Sequence, residues 1–236
     1  MEAVYKRVLI KISGEALAAD KHTGFDFDFV SRVCEAVKAC TTLGAQVGIV
    51  IGGGNFWRGV KDGAGKVERV SADRMGMLAT AMNCLAVADV FRQVGCDARV
   101  MTAVDIQGVG ERYDTRRAIE YLEAGKIVLF ACGTGSPFFS TDTAALLRAA
   151  EIGADAILLA KNIDGVYSDD PRKNPEAVRF DEISYDEVLA RHLAVMDTTA
   201  TSLAMDNAIP VEVFALAEPE NILRVLAGEK IGTSVK

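Results

Sequence analysis

The sequence predicts an α/β fold in which helices cover both faces of a largely parallel central sheet. Short apolar runs rich in β-branched residues alternate with helical patterns from one end of the chain to the other. Apolar strands bracketed by helices are typical of parallel sheets that are buried on both faces. No repeat, low-complexity tract or linker interrupts this alternation, so residues 1–236 are predicted to form a single domain.

Hydrophobic periodicity and capping residues place the individual elements. The predicted strands are Val8–Ile12, Gln46–Ile51, Ala98–Met101, Lys126–Ala131, Asp155–Ala160 and Pro210–Phe214. The predicted helices are Phe27–Leu43, Asp73–Gly95, Asp114–Glu123, Asp142–Ile152, Ser184–Ala190, Asp197–Asp206 and Glu218–Ala227. Asp73 is predicted to cap the N-terminus of the longest helix.

The helix that starts near Asp73 carries two apolar stripes. The first stripe comprises Met75, Leu78, Met82 and Leu85, and the second comprises Met77, Ala81, Cys84, Ala88 and Phe91. One stripe can face the sheet. The other is expected either to be deeply buried or to contact another subunit.

Composition excludes some classes of function. The net charge of −7 argues against a general nucleic-acid surface, which needs clustered Lys and Arg, although it leaves room for a small anionic ligand. The five cysteines form no CxxC pair, and the N-terminus lacks a secretory signal, so reduced thiols and a cytoplasmic location are expected. We see no apolar run of transmembrane length, and expect no membrane association.

Glycine-rich or polar segments follow the first two predicted strands. Parallel sheets bind their ligands at the carboxyl ends of their strands. Lys11 ends the first strand and is followed by Ser13 and Gly14, which could place an ammonium and backbone N–H groups beside a phosphate. The alternative is an ordinary strand end. Gly52-Gly53-Gly54 follows the second strand, with Arg58 downstream. Consecutive glycines favour an anion-binding turn over a simple tight turn when such a donor is near.

Two later strand ends carry similar signals. The loop from Gly133 leads into a helix through hydroxyl residues and Asp142, and its adjacent Phe138 and Phe139 could wall a base or sugar. Asp142 could instead be only an N-cap. The segment Lys161–Pro171 contains Tyr167, which could flank a base, although a hairpin-like excursion is the simpler interpretation.

The absence of several common motifs limits the classes of reaction that the sequence supports. There is no Walker A motif and no GxGxxG fingerprint, and the two histidines belong to no metal-ligand pattern. The glycine-rich loops contain no obvious general base, which a hydroxyl acceptor would usually need. A phosphate acceptor needs none, because its second pKa of about 6 leaves it ionised at neutral pH. The segments therefore favour transfer between two phosphates.

Longer motifs identify a family. The chain resembles the bacterial uridylate (UMP) kinases of the amino acid kinase superfamily over nearly its whole length. The resemblance is carried by KISGEAL at Lys11–Leu17, IGGGNFWRG at Ile51–Gly59, DRMGMLAT at Asp73–Thr80, GTGSPFFSTDTAA at Gly133–Ala145, DGVYSDDP at Asp164–Pro171 and VMDTTA at Val195–Ala200. The first two blocks are shared across the superfamily, and the blocks around Asp73 and SPFFSTD are more specific to UMP kinases.

The resemblance implies a three-layer αβα sandwich that assembles as a homohexamer. It implies transfer of the ATP γ-phosphoryl group to UMP, giving UDP and ADP in pyrimidine biosynthesis, with Mg²⁺ held mainly by the nucleotide phosphates. The implied catalytic residues are Lys11, Arg58 and Asp142, and Asp197 starts a helix near the site. The implied ATP site comprises Lys11, Ile12, Ser13, Gly14, Gly54, Arg58, Asn162, Tyr167 and Asp170. The implied UMP site comprises Gly53, Asp73, Thr134, Gly135, Ser136, Pro137, Phe138, Phe139, Ser140 and Thr141.

Some questions stay open at the level of sequence. Either Lys161 or Asn162 contacts ATP. GTP activates many relatives through basic residues, whose matching positions here are Asp89, Arg92, Arg99 and Lys126, and Ala88 stands where some relatives carry arginine. Responses to GTP and UTP are therefore undecided. The alternative functions are a non-catalytic nucleotide-binding protein and another superfamily member that phosphorylates a carboxylate or carbamate.

Overall fold

A computed structural model describes residues 2–21, 23–58, 65–193 and 195–236. Gly59, the last residue of one motif above, lies outside the described residues. The strands are β1 Arg7–Ile12, β2 Gln46–Ile51, β3 Ala98–Thr102, β4 Glu111–Arg112, β5 Ile127–Ala131, β6 Ala156–Lys161, β7 Val166–Tyr167, β8 Arg179–Phe180, β9 Glu182–Ile183, β10 Val211–Ala215 and β11 Thr233–Val235. The α-helices are α1 Gly14–Ala18, α2 Phe27–Thr42, α3 Arg69–Gln93, α4 Thr115–Glu123, α5 Thr141–Ile152, α6 Tyr185–Ala190, α7 Thr198–Asp206 and α8 Asn221–Leu226.

Nine of the strands form one large sheet, whose order within the described residues is β4-β3-β5-β2-β1-β6-β10-β11-β9, and β7 and β8 form a separate two-stranded sheet. The pairs of the large sheet are parallel except for β10 with β11. Helices α2, α3 and α8 pack on one face and α4 to α7 on the other, and each layer encloses its own apolar cluster. The predicted fold class, a three-layer αβα arrangement around a largely parallel sheet, is confirmed.

Capping residues explain where most helices begin. Asp26, Asp114, Ser140, Ser184 and Asp197 each accept hydrogen bonds from the first turn of the helix that follows. A further N-cap prediction, that of Asp73 for the longest helix, is wrong. That helix begins four residues earlier at Arg69, and its N-cap Glu68 makes no side-chain cap bond, so the sequence offered no signal there.

The interpretation of Asp142 as merely an N-cap is also wrong. Helix α5 starts at Thr141, and the hydroxyl of Ser140 accepts hydrogen bonds from the N–H groups of Asp142 and Thr143. The carboxylate of Asp142 is thereby left available for another contact. The predicted helix Glu218–Ala227 is shorter than expected, because α8 covers only Asn221–Leu226. The hairpin-like interpretation of the segment after β6 is confirmed by the antiparallel pair β7 and β8.

Helix α3 presents one apolar stripe inwards and the other outwards. Cys84, Ala88 and Phe91 are fully buried, whereas Leu78 and Met82 are 52% and 46% exposed. By length and composition alone α3 could cross a membrane. From the sequence we expected no such segment and overlooked this one. Half of its most apolar window is buried inside the protein, and α3 packs against β3 and β5. These contacts are those of a core helix with one uncovered face.

Candidate active site

The carboxyl ends of four neighbouring parallel strands meet at one edge of the sheet. Strand β1 lies between β2 and β6, and β5 lies beyond β2. Lys11 and Ser13 at the end of β1, the glycine turn after β2, the loop after β5 and Asn162 after β6 therefore converge. Two cavities open at this edge, one of about 650 Å³ and one of about 180 Å³.

The centre of the site is an ion pair between Lys11 and Asp142. Lys11 Nζ lies 2.7 Å from Asp142 Oδ1, and the two side chains are only 10% and 16% exposed. The angles do not fit a hydrogen bond, so this buried oxygen keeps unused hydrogen-bonding capacity. The pair thus holds an ammonium group in a fixed position at the strand end. Removing one partner of such a pair would leave an uncompensated buried charge.

The glycines at this edge are required by close approaches of the backbone. A Cβ added at Gly14 would lie 2.2 Å from the carbonyl oxygen of Gly52. A Cβ at Gly53 would lie 2.9 Å from both the Cβ of Ala79 and the carbonyl oxygen of Gly76 in α3. Because neither backbone can move easily, the turn has to be built from glycine. It is wedged between the start of α1 and the long helix.

The larger cavity lies on the β6 side of Lys11. It is lined by five of the residues that the resemblance assigns to ATP, namely Lys11, Ser13, Asn162, Tyr167 and Asp170. The side chain of Ile12 is fully buried in the core, so only its backbone is available. The basic residues Lys161, Arg172, Lys173 and Arg191 also contribute to the wall. The walls of this cavity come from β1, from the segment after β6 and from residues before α7, and the basic side chains suit an anionic ligand.

The smaller cavity lies between α3 and the loop after β5. It is lined by seven of the residues that the resemblance assigns to UMP, namely Gly53, Asp73, Thr134, Ser136, Phe139, Ser140 and Thr141. Gly135, Pro137 and Phe138 belong to the same loop without lining the cavity. Trp57 adds a wall that sequence reasoning missed, and its indole Nε1 is fixed by a 2.8 Å hydrogen bond to the carbonyl oxygen of Ala72.

Asp73 ties α3 to this loop. Its carboxylate accepts a 2.8 Å hydrogen bond from the N–H of Phe138 and a hydrogen bond from Arg69 Nε. The Arg69 guanidinium in turn lies over the Phe138 ring at 5.3 Å. Asp73 is therefore a carboxylate at the mouth of the smaller cavity, and it can exchange these exposed partners for the hydroxyl groups of a ligand.

Arg58 stands away from the ion pair of Lys11. Its Nη2 atom lies 3.0 Å from Glu15 Oε1, and its Nε donates to the carbonyl oxygen of Gly54 at 3.4 Å. Gly54 faces the same glutamate, because an added Cβ would lie 3.0 Å from Glu15 Oε1. Neither Arg58 nor Gly54 lines either cavity. The Arg58 side chain is 43% exposed and belongs to the rim of the site.

Lys161 is a second cation at the centre of the site that sequence reasoning did not assign. It ends β6, lines the larger cavity and donates to the carbonyl oxygen of Val195. Burial lowers the pKa of its ammonium group, Asp142 opposes that shift and Lys11 reinforces it. Asp142 thus pairs with Lys11 and also favours the charged form of Lys161, which ends the neighbouring strand. The strand-end position of Lys161 was the only signal available in the sequence.

Asp197 connects α7 to the start of α5. Its carboxylate caps α7 by accepting from Ala200 N–H at 2.9 Å, and it also accepts from the hydroxyl groups of Ser140 and Thr143. Ser140 is the cap of α5, whose first turn contains Asp142. The predicted approach of this helix start to the site is confirmed, and its contacts fix the N-terminus that carries Asp142.

The sheet order, the strand-end ion pair and the two cavities define a class of phosphoryl-transfer enzymes. The model of the "Amino acid kinase family" matches residues 6–215, and the chain belongs to that family. Its curated relatives include uridylate kinases. The uridylate kinase of Streptococcus thermophilus strain ATCC BAA-491 / LMD-9 is 53% identical over 235 residues, which cover 99% of this chain and 96% of the relative.

Solved structures give the same result. The UMP kinase from Bacillus anthracis superposes with a TM-score of 0.95 at 38% identity, covering 98% of this chain and 96% of that one. The UMP kinase from Ureaplasma parvum superposes with a TM-score of 0.93 at 34% identity, covering 98% of each chain. The resemblance inferred from the motifs is confirmed.

Proposed function

We propose that this protein is a UMP kinase that transfers the γ-phosphoryl group of ATP to UMP, forming ADP and UDP for pyrimidine nucleotide synthesis. The observation that carries the proposal is the position of the Lys11–Asp142 pair at the strand edge where two cavities open. Uridylate kinases that align over nearly the whole chain support the choice of substrates. ATP would occupy the larger cavity and UMP the smaller one.

The proposed donor site contains the nine residues that the resemblance assigned to ATP. Asn162, Tyr167 and Asp170 would contact the nucleoside end, because they line the larger cavity, to which the glycine turn does not contribute. Lys11, Ser13 and Gly14 would lie at the phosphates. Lys161 ends the strand next to β1 and lines the same cavity as Lys11, so we assign it to the phosphates with Lys11. Arg58 would reach the site by leaving Glu15.

The proposed acceptor site is formed by Gly53, Asp73 and residues Thr134–Thr141. Asp73 would accept hydrogen bonds from the ribose hydroxyl groups, and Phe138 and Phe139 would shield the base. The loop hydroxyl groups and the N-terminus of α5 would bind the α-phosphate. The acceptor phosphate is ionised at neutral pH and needs no general base, which agrees with a site whose central residues are cations and one carboxylate.

The proposed chemistry is positioning and charge neutralisation. Lys11 and Lys161 would stabilise the charge on the transferred phosphoryl group. Asp142 would keep the ammonium group of Lys11 in place, and the carbonyl oxygen of Val195 would keep that of Lys161 in place. In the described part of the chain no cluster of three or more His, Cys, Asp or Glu side chains could hold a metal. The carboxylate of Asp142, which is paired with Lys11, suits one outer ligand position. Mg²⁺ would therefore arrive with ATP, held mainly by phosphate oxygens, and neutralise their charge.

An ADP-release assay across acceptors tests the proposal. We expect turnover with UMP in the presence of ATP and Mg²⁺, much weaker turnover with CMP and none with glutamate or carbamate. Separation of the products should show one UDP for each ADP. Turnover of glutamate or carbamate without UDP would favour another activity of the family. Nucleotide binding without any turnover would favour a non-catalytic binding protein.

The assembly and its regulation are part of the proposal. The exposed stripe Met75, Leu78, Met82 and Leu85 on α3 would be covered by a second copy of the chain, as part of a homohexamer. A cytoplasmic location without membrane or nucleic-acid binding agrees with the acidic chain.

The effector residues are ion-paired in this structure. Arg99 and Lys126 both contact Asp97, at 3.2 Å and 3.1 Å, and Arg92 contacts Asp89 at 3.6 Å. Ala88, where some relatives carry arginine, is fully buried. GTP or UTP would have to compete with Asp97 for Arg99 and Lys126, and with Asp89 for Arg92. Adding each nucleotide separately to the assay at fixed ATP and UMP decides whether either acts as an effector.

A further inference from the structure

The inner face of α3 carries two buried polar side chains, and both bond to loops of the active site. Thr80 is 3% exposed and Asn83 is fully buried, and they lie three residues apart on the same face of the helix. The neighbouring buried residues Ala81, Cys84 and Val87 are apolar. A buried polar group lowers the stability of the fold unless it forms hydrogen bonds. The hydrogen-bond partners of Thr80 and Asn83 therefore indicate why polar residues stand at these positions.

Asn83 holds the glycine turn. Its Nδ2 group donates to the carbonyl oxygen of Gly52 at 2.7 Å and to Asn55 Oδ1 at 2.8 Å. Asn55 is 1% exposed and returns a hydrogen bond from its Nδ2 to Asn83 Oδ1 at 2.9 Å, and it also donates to the carbonyl oxygen of Gly24. The two amides form a reciprocal pair. The first and last residues of Gly52–Asn55 are thereby fixed to α3.

Thr80 holds the start of the loop after β5. Its hydroxyl donates to the carbonyl oxygen of Met77 at 2.7 Å and accepts from the N–H of Cys132 at 2.8 Å. Cys132 has a φ of 66°, in the left-handed region that a side chain rarely adopts. Such a conformation persists only where the surroundings impose it. The Thr80 hydroxyl is one of the groups that impose it, at the point where the chain turns towards Thr134.

We infer that Thr80 and Asn83 are positioning residues that set the acceptor loop and the glycine turn, respectively, against one rigid helix. The glycine turn touches α3 at Gly53, and Thr80 borders the smaller cavity. The helix therefore fixes the distance between the two loops that would enclose UMP. Neither side chain is a catalytic residue. The inference rests on the proposed assignment of that cavity to UMP.

Two nearly isosteric substitutions test this inference in the full-length enzyme. Thr80→Val keeps the volume but leaves the Cys132 N–H without an acceptor, and we expect the KM for UMP to rise about tenfold with little change in the KM for ATP. Asn83→Asp replaces the donor that faces Gly52 by an oxygen, and we expect kcat to fall about tenfold or more. Thr80→Ser, which keeps the hydroxyl, should restore the KM for UMP.

Controls separate positioning from a general loss of stability. Phe91→Leu shortens a buried side chain near the C-terminal end of the same helix, and among the described residues no hydrogen bond or cavity links that side chain to either loop. It should lower Tm while leaving kcat and the KM for UMP unchanged. If Asn83→Asp does not fold, Asn83→Ala takes its place and the same fall in kcat is expected. Thr80→Val and Asn83 variants that resemble Phe91→Leu, with a lower Tm and wild-type values of kcat and KM, would overturn the inference.

An Asp73→Asn enzyme tests separately the assignment of the smaller cavity to UMP and the positioning role of Thr80 and Asn83. If it leaves the KM for UMP unchanged, the assignment of the smaller cavity fails, and the inference fails with it. If Asp73→Asn raises that KM while Thr80→Val and Asn83→Asp keep wild-type constants, the inference alone is overturned. A raised KM in Asp73→Asn and Thr80→Val, with a lowered kcat in Asn83→Asp, supports both.

Discussion

At the scale of single residues, the site depends on the ion pair of Lys11 with Asp142 and on the ammonium group of Lys161, which donates to the carbonyl oxygen of Val195. Lys11 and Asp142 could be proposed from the sequence, because each follows a strand or starts a helix beside a motif. Lys161 could not be assigned, since the groups that define its role, Asp142 and Val195, are distant in sequence and reach it only through the fold. Sequence motifs thus locate functional residues better than they assign a role to each of several neighbouring residues.

Replacing Lys11 should damage catalysis more than folding. In Lys11→Ala the transition state loses a fixed positive charge, and we expect kcat to fall by well over tenfold, with UMP affinity little changed. Steady-state kinetics at saturating ATP and UMP measure the effect, and circular dichroism checks the fold. Lys38→Ala is the matched control, because Lys38 Nζ contacts the carbonyl oxygen of Val94 and no residue of the site. Equal turnover in the two variants would remove Lys11 from the mechanism.

Lys161 makes the pH dependence of turnover testable. Burial lowers the pKa of its ammonium group, so the charge is lost at a lower pH than in an ordinary lysine. We expect kcat to fall as the pH rises through that lowered pKa. Lys161→Arg keeps its charge at every accessible pH, and its alkaline limb should move to higher pH. The pH profile of Lys126→Arg provides the control, and identical alkaline limbs in all three enzymes would contradict the role of Lys161.

At the scale of elements, the alternation of strands and helices was readable because buried parallel strands and long helices have strong periodic patterns. The short strands β4, β7, β8, β9 and β11 were missed, because two or three residues carry no periodicity and form only through their neighbours. The start of α3 was misplaced because Glu68 lacks a capping bond. The glycine turn was predicted as an anion-binding turn, and this stays a prediction. Its close contacts with α1 and α3 depend on tertiary packing and were not predicted.

Two neighbouring glycines should tolerate alanine to different degrees. In Gly53→Ala the new Cβ meets the Gly76 carbonyl oxygen and the Ala79 Cβ at 2.9 Å, and these atoms belong to a helix. In Gly54→Ala it meets the flexible end of Glu15 at 3.0 Å. We therefore expect the larger loss of kcat/KM for UMP, and the larger drop in Tm, in Gly53→Ala. Kinetics and thermal unfolding of both variants measure this, and the reverse order would contradict the packing described for the turn.

At the scale of the whole molecule, α3 serves two purposes. Its inner face joins the core and holds both loops of the smaller cavity, and its outer face exposes a continuous apolar stripe. The stripe was visible in the sequence, but only the structure distinguished burial from exposure. Exposed apolar faces of this kind are usually covered by a partner.

Charges placed on this stripe should break the assembly. We expect the wild-type enzyme to elute as a homohexamer in size-exclusion chromatography with light scattering, and the double variant Leu78→Lys/Met82→Lys to form smaller species, because burying two ammonium groups is costly. Lys38→Ala, on another helix, should leave the mass unchanged. A monomeric wild-type enzyme would contradict the proposed assembly, and so would a double variant of unchanged mass.

The central claim is that two nucleotides occupy two cavities on either side of Lys11. Isothermal titration of UMP and of a non-hydrolysable ATP analogue into Asp73→Asn and Tyr167→Ala tests it most directly. We expect Asp73→Asn to weaken UMP alone, because Asp73 borders the smaller cavity, and Tyr167→Ala to weaken the ATP analogue alone, because Tyr167 borders the larger one. If both substitutions weaken the same nucleotide, or if their effects are exchanged, the assignment of the two cavities is wrong.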